Sequence, residues 1–175
     1  MDDRRRWRAE RGYCDARQHC LDADTDEVGL YEDDVLIGYL HLHREPVLRQ
    51  WGLGGSEPSV LLCDAHSVPG RNDSIARLMT LWATDFAARA GCTWARCEVR
   101  EPKPDSCAVN GRLSAYLRGE CGWKQAAVHA LPSGERVVHL QARAQARPGL
   151  VPMIRCEIPI PGPSAPAVEG EARHA

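Results

Sequence analysis

The segment from Ser59 to Gly91 constrains the fold more than any other part of the chain. It begins with the apolar block Val60–Cys63 and reaches Val68-Pro69-Gly70, where proline and glycine end a strand. Apolar residues then recur at the three- and four-residue intervals of an amphipathic helix: Ile75, Leu78, Met79, Trp82 and Phe86. Gly91 stands where a left-handed C-terminal cap is expected. The segment therefore predicts a strand, a tight turn and a capped helix.

The start of this helix is a candidate anion-binding site. Its first turn leaves several backbone N–H groups without helical partners, and a helix N-terminus carries about half a positive charge. Phosphate groups bind at such termini. Asn72, Asp73 and Ser74 could instead cap the helix by binding the same N–H groups. Because many strand–turn–helix units bind no ligand, the pattern leaves both alternatives open.

Length, charge and cysteine usage limit the possible functions. A chain of 175 residues can form one domain with its own core, and a net charge of −2 argues against a nucleic-acid binder. The sequence shows neither a bilayer-spanning apolar run nor a secretory signal, so we expect a cytoplasmic protein without membrane contact. The eight cysteines form no CxxC pair. We therefore expect reduced thiols and no metal.

The flanking segments complete a mixed α/β pattern in one domain over residues 1–146. Helices are predicted before residue 20 and after Asn110. Further strands are predicted over Val28–Tyr31, Val35–His43, Thr93–Val99, Gln125–Leu131 and Glu135–Ala144. The strand–helix–strand unit around the central helix implies parallel pairing of its two strands. The expected fold is a mixed central sheet with helices on both faces.

Residues 147–175 are predicted to form a C-terminal tail. Six prolines fall in this stretch among alanine and glycine: Pro148, Pro152, Pro159, Pro161, Pro163 and Pro166. Beyond Gly162 the composition is that of a partly disordered segment.

The element order and several short motifs resemble the GNAT superfamily of acetyl-CoA-dependent N-acetyltransferases. The motifs are RRRWRAERG near the N-terminus, Trp51-Gly52 after the first hairpin, and NGRLSAYLRGECGW from Asn110. The resemblance runs from about Trp7 to Ala144 and is greatest to an actinobacterial-type group common in high-GC bacteria. No strand is evident before Trp7, so the first strand of the family is missing from this pattern.

The resemblance implies acetyl-CoA as the cosubstrate. In the family, backbone N–H groups in the turn after the central strand bind the pyrophosphate of coenzyme A. The matching residues are Arg71, Asn72, Asp73, Ser74, Ile75 and Ala76, with Ser74 where the family has glycine. The resemblance also places the backbone of Ala65, Ser67 and Val68 beside the pantetheine arm, and Asn110 beside the cofactor.

The resemblance further implies direct acetyl transfer, with one residue as acid and another as base. Tyr116 matches the acid, although a core aromatic on the face of Leu113 and Leu117 is the alternative. The candidates for the base are Asp64, His66 and Glu98, each of which could instead face solvent or pair with arginine. Asp64 and His66 are two residues apart and are expected to share a strand face.

Two minor patterns allow further interpretations. His41 and His43 share a strand face and could hold a metal with Cys63 or Asp64, but no spacing supports this. The glycine-rich loop that starts at Trp51 is expected to be a flexible lid or a substrate-side loop.

Two classes of function fit the sequence. One is an N-acetyltransferase that acts on a primary amine of a small molecule or protein. The other is a catalytically inactive GNAT-fold protein that binds or regulates a partner, which the serine at position 74 and the missing strand favour. A sheet edge exposed by that missing strand would invite a homodimer or a partner protein.

Overall fold

The structure, a computed structural model, describes residues 25–44, 46, 48, 51, 55–67, 75–101, 111–150 and 152. Eight helices and strands follow in order: β1 Thr25–Glu32, β2 Val35–His43, β3 Ser59–Ser67, α1 Ile75–Arg89, β4 Trp94–Glu101, α2 Gly111–Gly119, β5 Lys124–Ala130 and β6 Arg136–Arg143. A 3₁₀ turn, Pro148–Leu150, comes after β6. The helix predicted before residue 20, the missing first strand and most of the predicted tail lie outside the described residues.

The six strands form one mixed sheet in the order β1-β2-β3-β4-β6-β5. β3 and β4 are parallel neighbours joined by α1, and the other adjacent pairs are antiparallel. The predicted strand–helix–strand unit and both predicted hairpins are therefore confirmed, with strand ends shifted by a few residues. Pairing with another chain through an outer strand, β1 or β5, stays a prediction.

Both described helices pack on one face of the sheet. The core contains apolar residues of α1 (Ile75, Met79, Trp82, Ala83 and Phe86) and of the strands beneath it (Leu40, Leu42, Val60, Leu62, Ala95, Val99, Val138 and Leu140). Full burial of a large apolar side chain is worth about 1.5–3 kcal/mol. This face therefore supplies most of the hydrophobic stabilisation. None of the described helices is long and apolar enough to cross a membrane.

The buried face of α2 differs from the predicted one. Leu117 is buried as expected, but Leu113 is 42% exposed. Ser114 takes the second buried position because its hydroxyl donates to the Glu101 carboxylate on β4. This contact rotates α2 so that Ser114 and Leu117, three residues apart, face the sheet, and Leu113 turns towards solvent.

The C-terminus of α1 has the predicted glycine cap. Gly91 has a φ of 75° and donates its N–H to the carbonyl of Ala88 at 3.1 Å. Cys92 donates to the carbonyl of Ala87 at 2.8 Å. These two hydrogen bonds form a Schellman motif, which satisfies carbonyls that a helix end leaves open.

Asp85 ties α1 to the chain after β6. Its buried carboxylate accepts a hydrogen bond from Arg89 Nε, one helical turn further on, at 2.8 Å. The other carboxylate oxygen accepts from the backbone N–H of Arg147 at 2.6 Å. Hydrogen bonds to a charged group are the stronger kind in proteins. The start of the predicted tail is thus attached to the core.

We expect Asp85→Ala to lower the free energy of unfolding by about 2 kcal/mol, because it leaves the Arg147 N–H without its acceptor. Arg89→Ala is the matched control, since it removes the half-buried arginine but keeps the hydrogen bond from the Arg147 N–H, so it should cost less than Asp85→Ala. Urea unfolding followed by circular dichroism measures both. Equal losses in the two variants would contradict the role given to Arg147.

Candidate active site

β3 and β4 separate partway along their length. Their parallel pairs run from Ser59–Trp94 to Leu62–Cys97. Beyond that point β3 continues beside β2 and β4 continues beside β6, each to its own end. Because both strands keep their outer neighbours, the sheet opens between their carboxyl ends. Ligands of open α/β sheets bind outside the carboxyl ends of strands, at places where neighbouring strands part.

A β-bulge in β3 lies at the start of this opening. The pairing with β2 passes from His41–Cys63 to Tyr39–His66, so β3 contains one residue more than its partner there. Asp64, in this stretch, has a φ of 47°. A bulge bends its strand and redirects the side chains that follow. The bend turns β3 away from β4 at the point where their pairing stops.

Gly38 on β2 lets α1 approach the sheet beside the bulge. A Cβ at this position would lie 3.1 Å from the backbone oxygen of His66 and 3.3 Å from Ile75 Cγ2. A glycine within a strand is typical of such a close backbone approach.

Asp64 and His66 share a face, as predicted, and it is the face opposite α1, but simple alternation along the strand is not the reason. Asp64 Oδ2 is 3.6 Å from His41 Nδ1. The ring of His66 stacks on Tyr39, with centroids 5.0 Å apart and planes at 20°. Both partners lie on the same face of β2, so the bulge brings the two candidates together.

Glu98 lies on the same face, on the β4 side of the opening. Its Oε1 accepts a hydrogen bond from Trp51 Nε1 at 3.3 Å and lies 3.4 Å from His139 Nε2. The Trp51 ring stacks on His139 with centroids 4.5 Å apart, and the Arg96 guanidinium lies 5.1 Å from the indole centroid. Trp51 is buried. The expectation of a flexible lid is therefore wrong for Trp51, because these three contacts hold it on the sheet.

His139 is buried on β6, and its environment favours the neutral ring. Burial lowers the pKa of His139, the nearby Glu98 raises it in opposition, and His129 lowers it further. Nδ1 of His139 is buried without a hydrogen-bond partner among the described residues. His139 and Glu98 therefore form a carboxylate–imidazole pair on one side of the opening, as Asp64 and His41 do on the other.

Tyr116 lies on α2, at the helix face of the sheet. Burial raises the pKa of its phenol, the neighbouring Cys121 raises it further, and Arg77 in the first turn of α1 opposes the shift. The hydroxyl therefore remains protonated at neutral pH. The candidate acid and the candidate bases lie on opposite faces of the sheet, and the opening between β3 and β4 connects these faces.

The remaining predicted residues are distributed along the opening or fall outside the description. Ala65 is exposed on β3, and Ser67 ends that strand. Ile75 and Ala76 begin α1, next to the opening. Asn110 and Val68, which was predicted beside the pantetheine arm, lie outside the described residues, as do four residues of the expected pyrophosphate turn: Arg71, Asn72, Asp73 and Ser74. Their roles stay predictions.

Three functional candidates were not found from the sequence: His139, Trp51 as an anchored residue, and the buried Arg96. A polar residue in the apolar stretch of β6 was the available signal for His139. Within the described ranges, no group of three His, Cys, Asp or Glu side chains could hold a metal ion. His43 instead lies 3.2 Å from the hydroxyl of Thr25.

Solved structures share this fold, although no protein-family model and no curated protein matches the sequence. A protein assigned to the GNAT acetyltransferases from Desulfovibrio desulfuricans has a TM-score of 0.54 and 15% identity, and covers 70% of this chain and 71% of its own. An aminoglycoside 6'-N-acetyltransferase complexed with coenzyme A has a TM-score of 0.54 and 12% identity, over 85% and 91%.

An aminoglycoside 6'-N-acetyltransferase from Enterococcus faecium has a TM-score of 0.50 and 12% identity, over 74% of this chain and 80% of that one. At such low identity, these likenesses establish the fold. The chain therefore has the GNAT fold that its motifs predicted, while the expected bacterial subgroup stays a prediction.

We expect His139→Phe to reduce the loss of stability in mild acid. A histidine whose folded pKa lies below its ordinary value of 6.5 must bind a proton on unfolding, so it destabilises the fold as the pH falls below 6.5. This contribution has a slope of at most about 1.4 kcal/mol per pH unit. Phenylalanine keeps a ring for Trp51 to stack on.

Urea unfolding of both proteins between about pH 7.5 and about pH 5 measures this slope. The difference between the wild type and His139→Phe should change across this range, in the direction that favours the variant in acid. A constant difference at every pH would contradict the role of burial at His139.

Proposed function

We propose that the protein is an acetyl-CoA-dependent N-acetyltransferase that acetylates a primary amine of a small molecule or protein. The observation that carries the proposal is the opening between β3 and β4, which has Asp64 and His66 on one side and Glu98 on the other. A coenzyme A complex of an aminoglycoside acetyltransferase with a similar fold supports the choice of cosubstrate.

The residues along the opening fit an extended ligand such as the pantetheine arm. The strands part beyond Leu62 and Cys97, and the β3 side is lined by the exposed Ala65 and by Ser67. In this proposal Ile75 and Ala76, at the start of α1, hold the diphosphate with the preceding turn, Arg71 to Ser74, and Asn110 contacts the same ligand. The N-terminus of α1 favours an anion there. Acetyl-CoA supplies a thioester that is activated for acyl transfer.

Asp64 is the best-placed base of the three candidates. Its carboxylate is about a quarter exposed at the opening and lies beside an imidazole that can take up a proton. The Glu98 oxygen that faces the site already accepts from Trp51 and lies near His139, while the His66 ring is stacked on Tyr39. In this assignment Asp64 removes the proton from the amine nitrogen, and His66 and Glu98 help to orient the acceptor.

Tyr116 is the proposed acid. Its phenol is on the helix side of the opening, and its raised pKa keeps the proton on the oxygen at neutral pH. In this proposal the hydroxyl forms a hydrogen bond to the sulfur and gives it the proton as the carbon–sulfur bond breaks. A positioned acid or base contributes about 10²–10⁴-fold to a rate.

Thermal shift with coenzyme A and acetyl-CoA tests the proposal. A ligand that binds only the folded state stabilises it by about 2.7 kcal/mol at one hundred times its Kd, so the melting temperature should rise. Ser74→Gly restores the glycine of the family pattern and should bind at least as tightly. If the wild type shows no shift and Ser74→Gly gains one, the catalytically inactive alternative is correct.

We expect Tyr116→Phe to lower kcat by about tenfold or more and to keep the thermal shift with acetyl-CoA, because only the hydroxyl is lost. Tyr31→Phe is the matched control, since Tyr31 is exposed on β1 and should change neither quantity. A thiol-release assay with a panel of amines measures turnover. Full activity in Tyr116→Phe would remove Tyr116 from the mechanism and leave the core-aromatic interpretation.

A further inference from the structure

Three ionisable side chains form a line across β1, β2 and β3 on the face opposite α1. The strand register pairs Glu27 with His41, and His41 with the residue before Asp64. His41 Nε2 is 3.6 Å from Glu27 Oε1, and His41 Nδ1 is 3.6 Å from Asp64 Oδ2. Each nitrogen of one imidazole therefore faces a different carboxylate.

The line leads from the opening of the sheet to solvent. The side chain of His41 is 7% exposed, that of Asp64 24% and that of Glu27 56%. Nδ1 of His41 is buried and has no hydrogen-bond partner within the described part of the chain. A buried polar atom left in this state costs free energy. Because Nδ1 lies beside the Asp64 carboxylate at the opening, a role in accepting a proton from Asp64 would explain why this cost is tolerated.

We propose that Glu27, His41 and Asp64 form a proton relay that carries the proton of the acceptor amine from the opening to solvent. This inference rests on the proposed acetyltransferase function. It adds two residues, His41 and Glu27, to the base that the function requires.

The relay balances the protons of the reaction. An ammonium group and a thioester give an amide, a thiol and one proton, so each turnover must release one proton to water. The Asp64 carboxylate takes a proton from the amine nitrogen and passes it to Nδ1 of His41, which becomes an imidazolium. The proton on Nε2 then leaves to the Glu27 carboxylate and from there to water, and Asp64 is again ionised. The ring now holds its proton on Nδ1, so proton exchange with water must return it to the Nε2–H tautomer before the next turnover.

A metal site does not explain this arrangement. The two ring nitrogens point in opposite directions, so both carboxylates and one nitrogen cannot ligate the same ion. Both separations are longer than a direct hydrogen bond, so the relay requires each carboxylate to move towards the ring or a water molecule to bridge the gap.

The titratable groups around His41 can be named strand by strand. Glu27 faces it from β1, and Asp64 and Cys63 face it from β3. On its own strand, Tyr39 lies with its ring centroid 6.1 Å away, and His43 is two residues further on. Among these, Glu27 is the exposed carboxylate, so Glu27→Gln interrupts the relay without disturbing the core or the opening.

The first experiment reads the tautomer of His41 by NMR in protein with labelled histidine, with His41→Gln to assign the ring signals. The relay requires a proton on Nε2 and a bare Nδ1 before each turnover, because Nδ1 accepts from Asp64 and Nε2 donates to Glu27. Glu27→Gln and Asp64→Asn should each change the ring signals of His41, whereas Glu32→Gln, an equal charge change on β1, should leave them in place. Unchanged ring signals in Glu27→Gln would overturn the relay.

The second experiment measures turnover against pH in the same variants. We expect Glu27→Gln to lower kcat by about three- to tenfold without a change in KM for acetyl-CoA, and added imidazole to restore the rate. A purely structural ion pair would not respond to imidazole. Equal profiles for Glu27→Gln, Glu32→Gln and the wild type would contradict the relay.

The two experiments distinguish a failure of the acetyltransferase proposal from a failure of the relay. A wild type that binds no acetyl-CoA and turns over no amine overturns the acetyltransferase proposal and, with it, the transport of an amine proton. The NMR spectra of His41 in the variants still decide whether the three groups are coupled. If the groups are coupled and the wild type turns over, but Glu27→Gln does not change the rate, then Glu27 only affects His41 electrostatically and the relay is overturned.

Discussion

The parting of β3 from β4 is the constraint on which the rest of the structure depends. Two parallel strands that pair for four residues and then diverge must each be held from outside, and β2 and β6 do this. The extra residue at Asp64 bends one of the strands, and Gly38 makes room for that bend beneath α1. The candidate catalytic residues therefore lie where β3 and β4 no longer pair with each other.

The two faces of the sheet have different physical tasks. The face under α1 and α2 is apolar and continuous, so it supplies the burial that keeps the strands together. The opposite face carries carboxylates, imidazoles and a fully buried arginine, Arg96, whose pKa is lowered by burial and raised in opposition by Glu57. Polar groups of this kind weaken a core. The burial of apolar side chains on the other face offsets this loss of stability.

Much of the fold could be predicted from the sequence because its signals are local. The helical spacing after residue 74, the glycine at position 91 and the alternation in the strands each depend on near neighbours in the chain. The bulge at Asp64 could not be predicted, because an extra residue in a ladder is defined only against the partner strand. For the same reason, the prediction that Asp64 and His66 share a face was right, but the alternation on which it was based is interrupted by the bulge.

The candidate site was predicted less completely than the fold. Asp64, Glu98 and Tyr116 were named from the family resemblance, but their partners come from residues distant in sequence, as Trp51 and His139 do for Glu98. Leu113 shows the same limit, since one hydroxyl–carboxylate contact at Ser114 rotated the helix. Side-chain partners across strands leave no mark in the periodicity of either strand.

The hydrogen bond between Asp85 and the backbone of Arg147 has a practical consequence for handling the protein. A chain shortened before residue 147 would retain a buried carboxylate and lose the amide that solvates it. Affinity tags and fusion partners should therefore follow that residue. This one carboxylate thus makes a residue beyond the last strand part of the folded structure.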